Sequence, residues 1–356
     1  MNLLTKTLQQ IEPQDPSFRA AARARLDQLT MPHWALGRLM DMAEDLAGMT
    51  RSLRPAVSRK AVVIMAGDHG VAASGVSQYP QEVTVQMVHN FANKGAGCNA
   101  LAALAGAQVV VVDAGVAGDL SALVAQDKVI SKRIAPGTAN LQFGPAMTRE
   151  QAVASIEAGI EVANSLDASI DVFATGEMGI ANTTPSSAMV AALTGKPVEE
   201  ITGRGTGLND EALQKKIAVI KEALSVNKPD PLDALDVLAK VGGFEIGAIA
   251  GLILGAAALK KPVIIDGFIT TAGALIAQAL APASTQYMIA SHQSVEPGHC
   301  AALQHLGKEP LLSLNLRLGE GTGAVLAMNL VESSVRVLTD VATFEEAMVS
   351  GANADK

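Results

Sequence analysis

The chain has 356 residues, 49% of them hydrophobic, enough to bury one large core or two ordinary ones. A formal net charge of -8 offers no overall basic field for nucleic acid, and 3% aromatic content leaves few platforms for stacking single-stranded bases. Cys98 and Cys300 lie too far apart to form a metal-ligand pair, and the amino end lacks a basic-then-apolar signal segment, so a reducing cytoplasm is the expected setting.

The first fifty residues are helical in pattern. Phe18 to Leu29 and Leu36 to Met49 repeat apolar positions at three- and four-residue spacing, separated by Pro32, and predict a small helical cap. From Lys60 the pattern changes to short β-rich runs, each followed by a stretch long enough for a helix. The runs are Ala61 to Ala66, Gln108 to Val112, Ile170 to Ala174, Pro262 to Ile265 and Tyr287 to Ala290. Continuous apolar strands alternating with helices predict an α/β fold, a Rossmann-like parallel sheet flanked by helices. Ile246 to Leu259 is too short to cross a bilayer and is interrupted by Gly247, Gly251 and Gly255, so it reads as a buried helix. After Leu330 the pattern is helical again, ending in a polar, frayed segment from Ser350. The expected division is a smaller helical domain built from the chain termini, residues 1–55 with 330–356, and an α/β catalytic domain over 56–329.

Polar residues gather where the strands end: Gly67-Asp68-His69-Gly70, Asp113-Ala114-Gly115, Thr175-Gly176-Glu177, Asp266-Gly267-Phe268 and Ser291-His292. Ligands of open α/β sheets bind outside the carboxyl ends of the strands, so these five junctions could converge on one crevice.

Three glycine-rich segments carry candidate chemistry. Thr202-Gly203-Arg204-Gly205-Thr206-Gly207 precedes a helix expected over Asp210 to Leu224 that contains Lys216. It reads as a phosphate cradle or as an ordinary flexible turn, and Asp210 and Glu211 at the helix start would compete with an anion. It is neither a Walker loop nor a dinucleotide fingerprint, because it lacks Gly-Lys-Ser/Thr and does not follow the first strand. Thr175 to Pro185 groups Glu177 with several hydroxyls and an amide. A strand-to-helix turn with Asn182, Thr183 or Thr184 as N-cap and Pro185 at the first helical position explains all but Glu177. Arg317-Leu318-Gly319-Glu320-Gly321-Thr322-Gly323 sets one acid between glycines. Desolvation there would raise its pKa and suit it to accept a proton, whereas an Arg317–Glu320 ion pair is the structural alternative. His69, His292 and His299 lack metal-ligand spacing and read as structural, so no metal is expected. There is no Gly-x-Ser-x-Gly elbow for a serine hydrolase.

Taken in order, these segments resemble the nicotinate-nucleotide:dimethylbenzimidazole phosphoribosyltransferases of cobamide lower-ligand assembly. The likeness covers nearly the whole chain. It adds Tyr79-Pro80-Gln81-Glu82-Val83-Thr84, Ala135-Pro136-Gly137-Thr138-Ala139-Asn140 and Val241-Gly242-Gly243-Phe244 to the segments above. The resemblance implies transfer of 5-phosphoribosyl from β-nicotinate mononucleotide to an aromatic base, with release of nicotinate and inversion to an α-linked nucleotide. It implies Glu320 as general base and Glu177 as a second acid. Gly179, Gly205 and Lys216 fall around the 5'-phosphate, and Tyr79, Pro80, Met87, Met178 and Leu318 fall at the acceptor's walls. Met87 and Met178 read equally as core. No cofactor is implied. The expected partners are the mononucleotide and an aromatic base, 5,6-dimethylbenzimidazole or a phenolic or purine variant, within a homodimer or a heterodimer with a paralogous chain.

One segment departs from the family. A Lys-Pro-Pro-Gly-Ser-Leu-Gly-like stretch is replaced by Met31-Pro32-His33-Trp34-Ala35-Leu36-Gly37-Arg38, which introduces the chain's only tryptophan. Trp34 would alter acceptor or partner choice if it bordered the site, or merely repack the cap. Two other functions compete: a nonenzymatic partner of a catalytic paralogue, opposed by retention of both Glu177 and Glu320, and a nicotinamide-dependent dehydrogenase, opposed by the position of the glycine loop.

Overall fold

The computed structural model describes residues 1–205 and 207–350; Thr206 of the glycine loop and the tail beyond Ser350 lie outside them. Six parallel strands form one sheet in the order β3-β2-β1-β4-β5-β6: β1 Lys60–Gly67, β2 Ala107–Gly115, β3 Ile130–Ser131, β4 Val172–Met178, β5 Val263–Ile265 and β6 Met288–Ala290. This is the doubly wound arrangement, with its reversal of strand order between β1 and β4.

Alternation along each strand feeds two cores. Val63 and Met65 face one side with Val112, Phe173 and Ile265, whereas Val62, Ile64 and Ala66 face the other with Val111, Val172 and Ile264. All five runs expected from the sequence are strands. β3 is the addition, a two-residue edge strand too short to leave a periodic signature. β4 also runs further than its apolar residues indicate, because Thr175, Gly176, Glu177 and Met178 continue the pairing with β1 as far as Ala66. Glu177 therefore stands on a strand rather than on the loop after it.

On the first face, helix Phe244–Ala258 lies almost wholly buried against helix Arg149–Leu166. Its glycines make this approach possible: a Cβ on Gly251 would sit 1.9 Å from the Ile156 carbonyl oxygen, and one on Gly247 would sit 2.0 Å from Ser155 Oγ. On the second face, helices Arg38–Thr50, Gly97–Ala105 and Thr322–Asp340 contribute Leu46, Ala102 and Met328 to the core.

The terminal segments meet in a third, small cluster of Ala22, Leu26, Leu29, Met40, Ala43, Ala47, Val337 and Leu338. Helix Thr322–Asp340 links it to the sheet, since Ala324, Val325 and Met328 near its start belong to the second core. Trp34 packs on the terminal cluster, with the Arg23 guanidinium 3.7 Å from its ring and its indole N–H donating to Asp41 Oδ1 at 2.8 Å. Among the described residues, no helix is long and apolar enough to cross a membrane.

Candidate active site

A cavity of about 390 Å³ opens at the carboxyl edge of the sheet. The ends of β4, β5 and β6 bring Glu177, Gly267, Phe268 and His292 to its wall. The ends of β1 and β2 support it from behind. Asp68 accepts from the Ala117 amide at 2.8 Å, Asp113 pairs with Arg133 at 2.8 Å, and buried His69 pairs with Glu245 at 2.8 Å. Burial alone would lower the His69 pKa, but Glu245 and neighbouring acids outweigh it and hold it raised.

Glu320 enters the cavity from a turn in which Gly319, Glu320 and Gly321 all have left-handed backbone, with φ of 83°, 62° and 83°. Glycine flanks are required for space as well as for φ: a Cβ on Gly319 would lie 2.3 Å from Glu177 Oε1, and one on Gly321 would lie 2.5 Å from Val62 Cγ2. The turn is tied down by Asp266, whose carboxylate accepts from the Gly321 and Ala324 amides at 3.2 and 3.0 Å. Glu320 Oε2 accepts from the Cys98 amide at 3.3 Å, in the first turn of helix Gly97–Ala105. Burial raises the Glu320 pKa, and this amide opposes the rise. Among the described residues Arg317 forms no ion pair with Glu320; its charge acts on Glu296.

Glu177 lies beside this turn. Its Oε1 accepts from the Glu320 amide and its Oε2 from Asn182 Nδ2. Asn182 does sit at the cap position of helix Thr183–Thr194, but its side chain serves Glu177 rather than the helix. Burial pushes both Glu177 and Asp266 up to about 7.

The cavity also has a cationic end, at Lys216. Lys216 is almost fully buried, and its ammonium donates to Thr183 Oγ1 at 2.7 Å and to the Gly203 carbonyl at 3.4 Å. Burial lowers its pKa to about 8. A Cβ on Gly205 would lie 3.7 Å from Lys216 Nζ, and Arg204, Gly179 and Glu296 also line the cavity. The start of helix Asp210–Asn227 carries the capping and acidic groups expected to compete with an anion. Asn209 caps it by accepting from the Ala212 amide, and Asp210 pairs with Arg204, so one amide of the helix start and the Arg204 guanidinium already have partners.

Nine of the ten residues assigned from the sequence line the one cavity: Glu320, Glu177, Gly179, Gly205, Lys216, Tyr79, Met87, Met178 and Leu318. Pro80 is exposed beside Tyr79 and does not; its carbonyl accepts from the Val83 amide to start the next helix. Met87 and Met178 are half-buried, touching both core and cavity. Tyr79 and Leu318 are exposed at the rim. Trp34 is not part of the lining. Sequence reasoning missed Glu296, Thr183 as the lysine's partner, Asp266 as the anchor of the Glu320 turn, and the Cys98 amide. The amide has no residue signature at all. His299 Nδ1 accepts from the Ser294 amide at 3.0 Å, and burial depresses His292 and His299 to about 4 and about 3. Among the described residues, no three His, Cys, Asp or Glu side chains are grouped to hold a metal ion.

A doubly wound sheet with paired buried acids and a lysine-bearing pocket at its carboxyl edge defines an α/β protein with the ligand crevice of its fold class. The family described as phosphoribosyltransferase matches residues 11–349. The nicotinate-nucleotide:dimethylbenzimidazole phosphoribosyltransferase of Syntrophotalea carbinolica is 65% identical over 350 residues, covering 98% of this chain and 99% of that one. The protein of the same name from Desulfotalea psychrophila is 59% identical over 351 residues, again 98% and 99% of the two chains. A crystal structure of the Thermus thermophilus protein of that name superposes with a TM-score of 0.89 at 45% identity, covering 95% of this chain and 100% of its own. The chain belongs to the nicotinate-nucleotide:dimethylbenzimidazole phosphoribosyltransferase family.

Proposed function

We propose that this chain transfers the 5-phosphoribosyl group of nicotinate mononucleotide to an aromatic lower-ligand base, releasing nicotinate and an α-linked nucleotide for cobamide synthesis. The acceptor is 5,6-dimethylbenzimidazole by default, with phenolic or purine bases as variants. The observation that carries this reading is the meeting of Glu177, Glu320 and Lys216 in one cavity.

In the proposed reaction, Lys216, Gly205 and Gly179 hold the 5'-phosphate, and Tyr79, Met87, Met178 and Leu318 hold the flat acceptor. The acceptor's unprotonated ring nitrogen attacks the ribose carbon from the face opposite nicotinate. The glycosidic electron pair returns to the pyridine nitrogen, and the acceptor's N–H proton passes to Glu320. The Glu177 carboxylate lies where positive charge grows on ribose and acceptor, and stabilises it. Burial suits Glu320 to the task, since it raises the pKa of a proton acceptor toward the working pH.

The proposed roles extend to the assembly. Residues 1–55 with 330–356 act as a helical cap on the catalytic region 56–329 and contribute to a homodimer, or to a heterodimer with a paralogous chain, in the cytoplasm. Light scattering of the purified chain reads the first choice directly.

The test of function is nicotinate release by the purified chain given nicotinate mononucleotide and dimethylbenzimidazole. Release that needs both substrates is expected. No release would overturn the reading, and release only with a second, paralogous chain would make this one the partner. Mass-spectrometric competition among benzimidazoles, phenols and adenine decides the acceptor.

A further inference from the structure

The cationic end of the cavity contains a carboxylate that the reaction above does not use. Glu296 lines it and is 8% exposed. Its Oε2 has no hydrogen-bond partner among the described residues. The wall is shaped to receive this oxygen, since a Cβ on Gly203 would lie 1.9 Å from it. Lys216, 1% exposed, donates only to neutral oxygens and has no carboxylate within ion-pair distance among the described residues. An ammonium has three donors, so one remains for a ligand.

We propose that Glu296 is a proton-linked counter-ion of the phosphate end: its carboxylate balances Lys216 while the site is empty, then takes up a proton and donates an O–H hydrogen bond to the incoming phosphate. This rests on the reading that the 5'-phosphate sits against Gly205 and Lys216. A phosphate and an ionised carboxylate in one buried pocket repel strongly, and protonating the carboxylate turns that repulsion into a hydrogen bond. The proton comes from solvent and no covalent bond changes.

The charges that act on Glu296 from other elements are those of Lys216 and Arg317, and the Gly205 amide adds to their pull; Arg204, which also lines the cavity, is paired with Asp210. His292 and His299, the nearby histidines, are held neutral by burial. Burial raises the Glu296 pKa despite the pull of Lys216, the Gly205 amide and Arg317, and a phosphate would raise it further. Glu296 thus makes donor affinity fall as pH rises.

The test is calorimetry of inorganic phosphate and of nicotinate mononucleotide binding to the full chain and to Glu296→Gln, at about pH 6.5 in buffers of different ionisation enthalpy. The unaltered chain should take up more protons than the variant, by up to about one, and its donor KM should climb with pH by up to about tenfold per unit while the variant's stays flatter. Equal uptake and parallel KM profiles would overturn the proposal. Lys216→Met distinguishes the underlying reading: unchanged phosphate and donor affinity there means the anion binds elsewhere, and both ideas fail. If Glu296→Gln does not fold, infrared difference spectra of the unaltered chain with and without inorganic phosphate replace it. A protonated-carboxyl band should appear on binding, and its absence would refute the proton transfer.

Discussion

The backbone N–H of Glu320 donates a 3.3 Å hydrogen bond to Oε1 of Glu177, across 143 residues of sequence. The strand that carries one acid thereby fixes the turn that carries the other. Glu320→Gln keeps the turn and the backbone donor but removes the proton acceptor. Turnover should fall on the order of 10² to 10⁴, the usual cost of one general base, with donor binding by calorimetry nearly unchanged. Near-normal turnover would take Glu320 out of the mechanism.

Glu177 titrates at about 7 because burial penalises its anion, which gives a pH prediction with a fixed sign. The anion is the useful form, so kcat/KM should drop as pH falls through about 7, and Glu177→Gln should lose that limb. Stability runs the other way. Between the ordinary carboxyl value of 4.5 and about 7 the folded chain binds more protons than the unfolded one, so stability falls as pH rises through this window. The full excursion corresponds to on the order of 3 kcal/mol. Glu177→Gln should therefore be more stable than the unaltered chain at about pH 8, with the gap closing near pH 5. Thermal melts of the pair across pH would refute this if their difference did not vary.

Lys216→Met removes the buried ammonium and retains most of the side chain's bulk. Loss of a hydrogen bond to a charged group typically costs about 1.5–3 kcal/mol, so donor KM should rise by roughly 10- to 100-fold. Acceptor KM should stay near its original value, because the ammonium bonds Thr183 and Gly203 and none of the acceptor-wall residues. Parallel loss of affinity for both substrates would mean that Lys216 supports the whole cavity instead of one ligand.

Much of this arrangement is written locally. The apolar runs before Asp113 and Asp266 announce two strands, and the glycines around Glu320 announce a close approach. The missed parts are long-range or lie in the backbone. β3 is two residues long and has no period to read, and β4 reaches Met178 only because β1 continues to pair with it. Glu296 looks like an ordinary acid before Pro297 until folding sets it against Gly203. At the glycine loop, Asn209 and Asp210 give the Ala212 amide and Arg204 partners within the fold, a competition for the helix start that the glycines alone do not reveal.

Gly251 tests the packing beneath the site. A methyl group added there would lie 1.9 Å from the Ile156 carbonyl oxygen and 3.0 Å from Gly159 Cα, both backbone atoms that no rotamer change can move. Gly251→Ala should destabilise by on the order of 1–3 kcal/mol through overpacking. Gly144→Ala, with nothing within 4 Å, is the control and should stay within about 0.5 kcal/mol. Equal melting temperatures for the two variants would contradict the close helix contact.

Cys98 separates what a side chain does from what a backbone does. Its thiol is buried and pushed up to about 12, first by desolvation and then by Glu320 and Asp266, so it should stay protonated and resist alkylation at neutral pH, while exposed Cys300 reacts. Cys98→Ala keeps the amide that bonds Glu320 Oε2, and turnover should survive. Cys98→Pro deletes that N–H in the first turn of helix Gly97–Ala105, where proline is best tolerated. A hydrogen bond to a carboxylate worth about 1.5–3 kcal/mol is then lost, burial acts on Glu320 unopposed, and its pKa must rise. Activity should fall at neutral pH and recover as pH increases, with circular dichroism confirming the fold. Loss in the alanine variant, or a proline variant whose pH profile does not move, would show that the helix start does not tune Glu320.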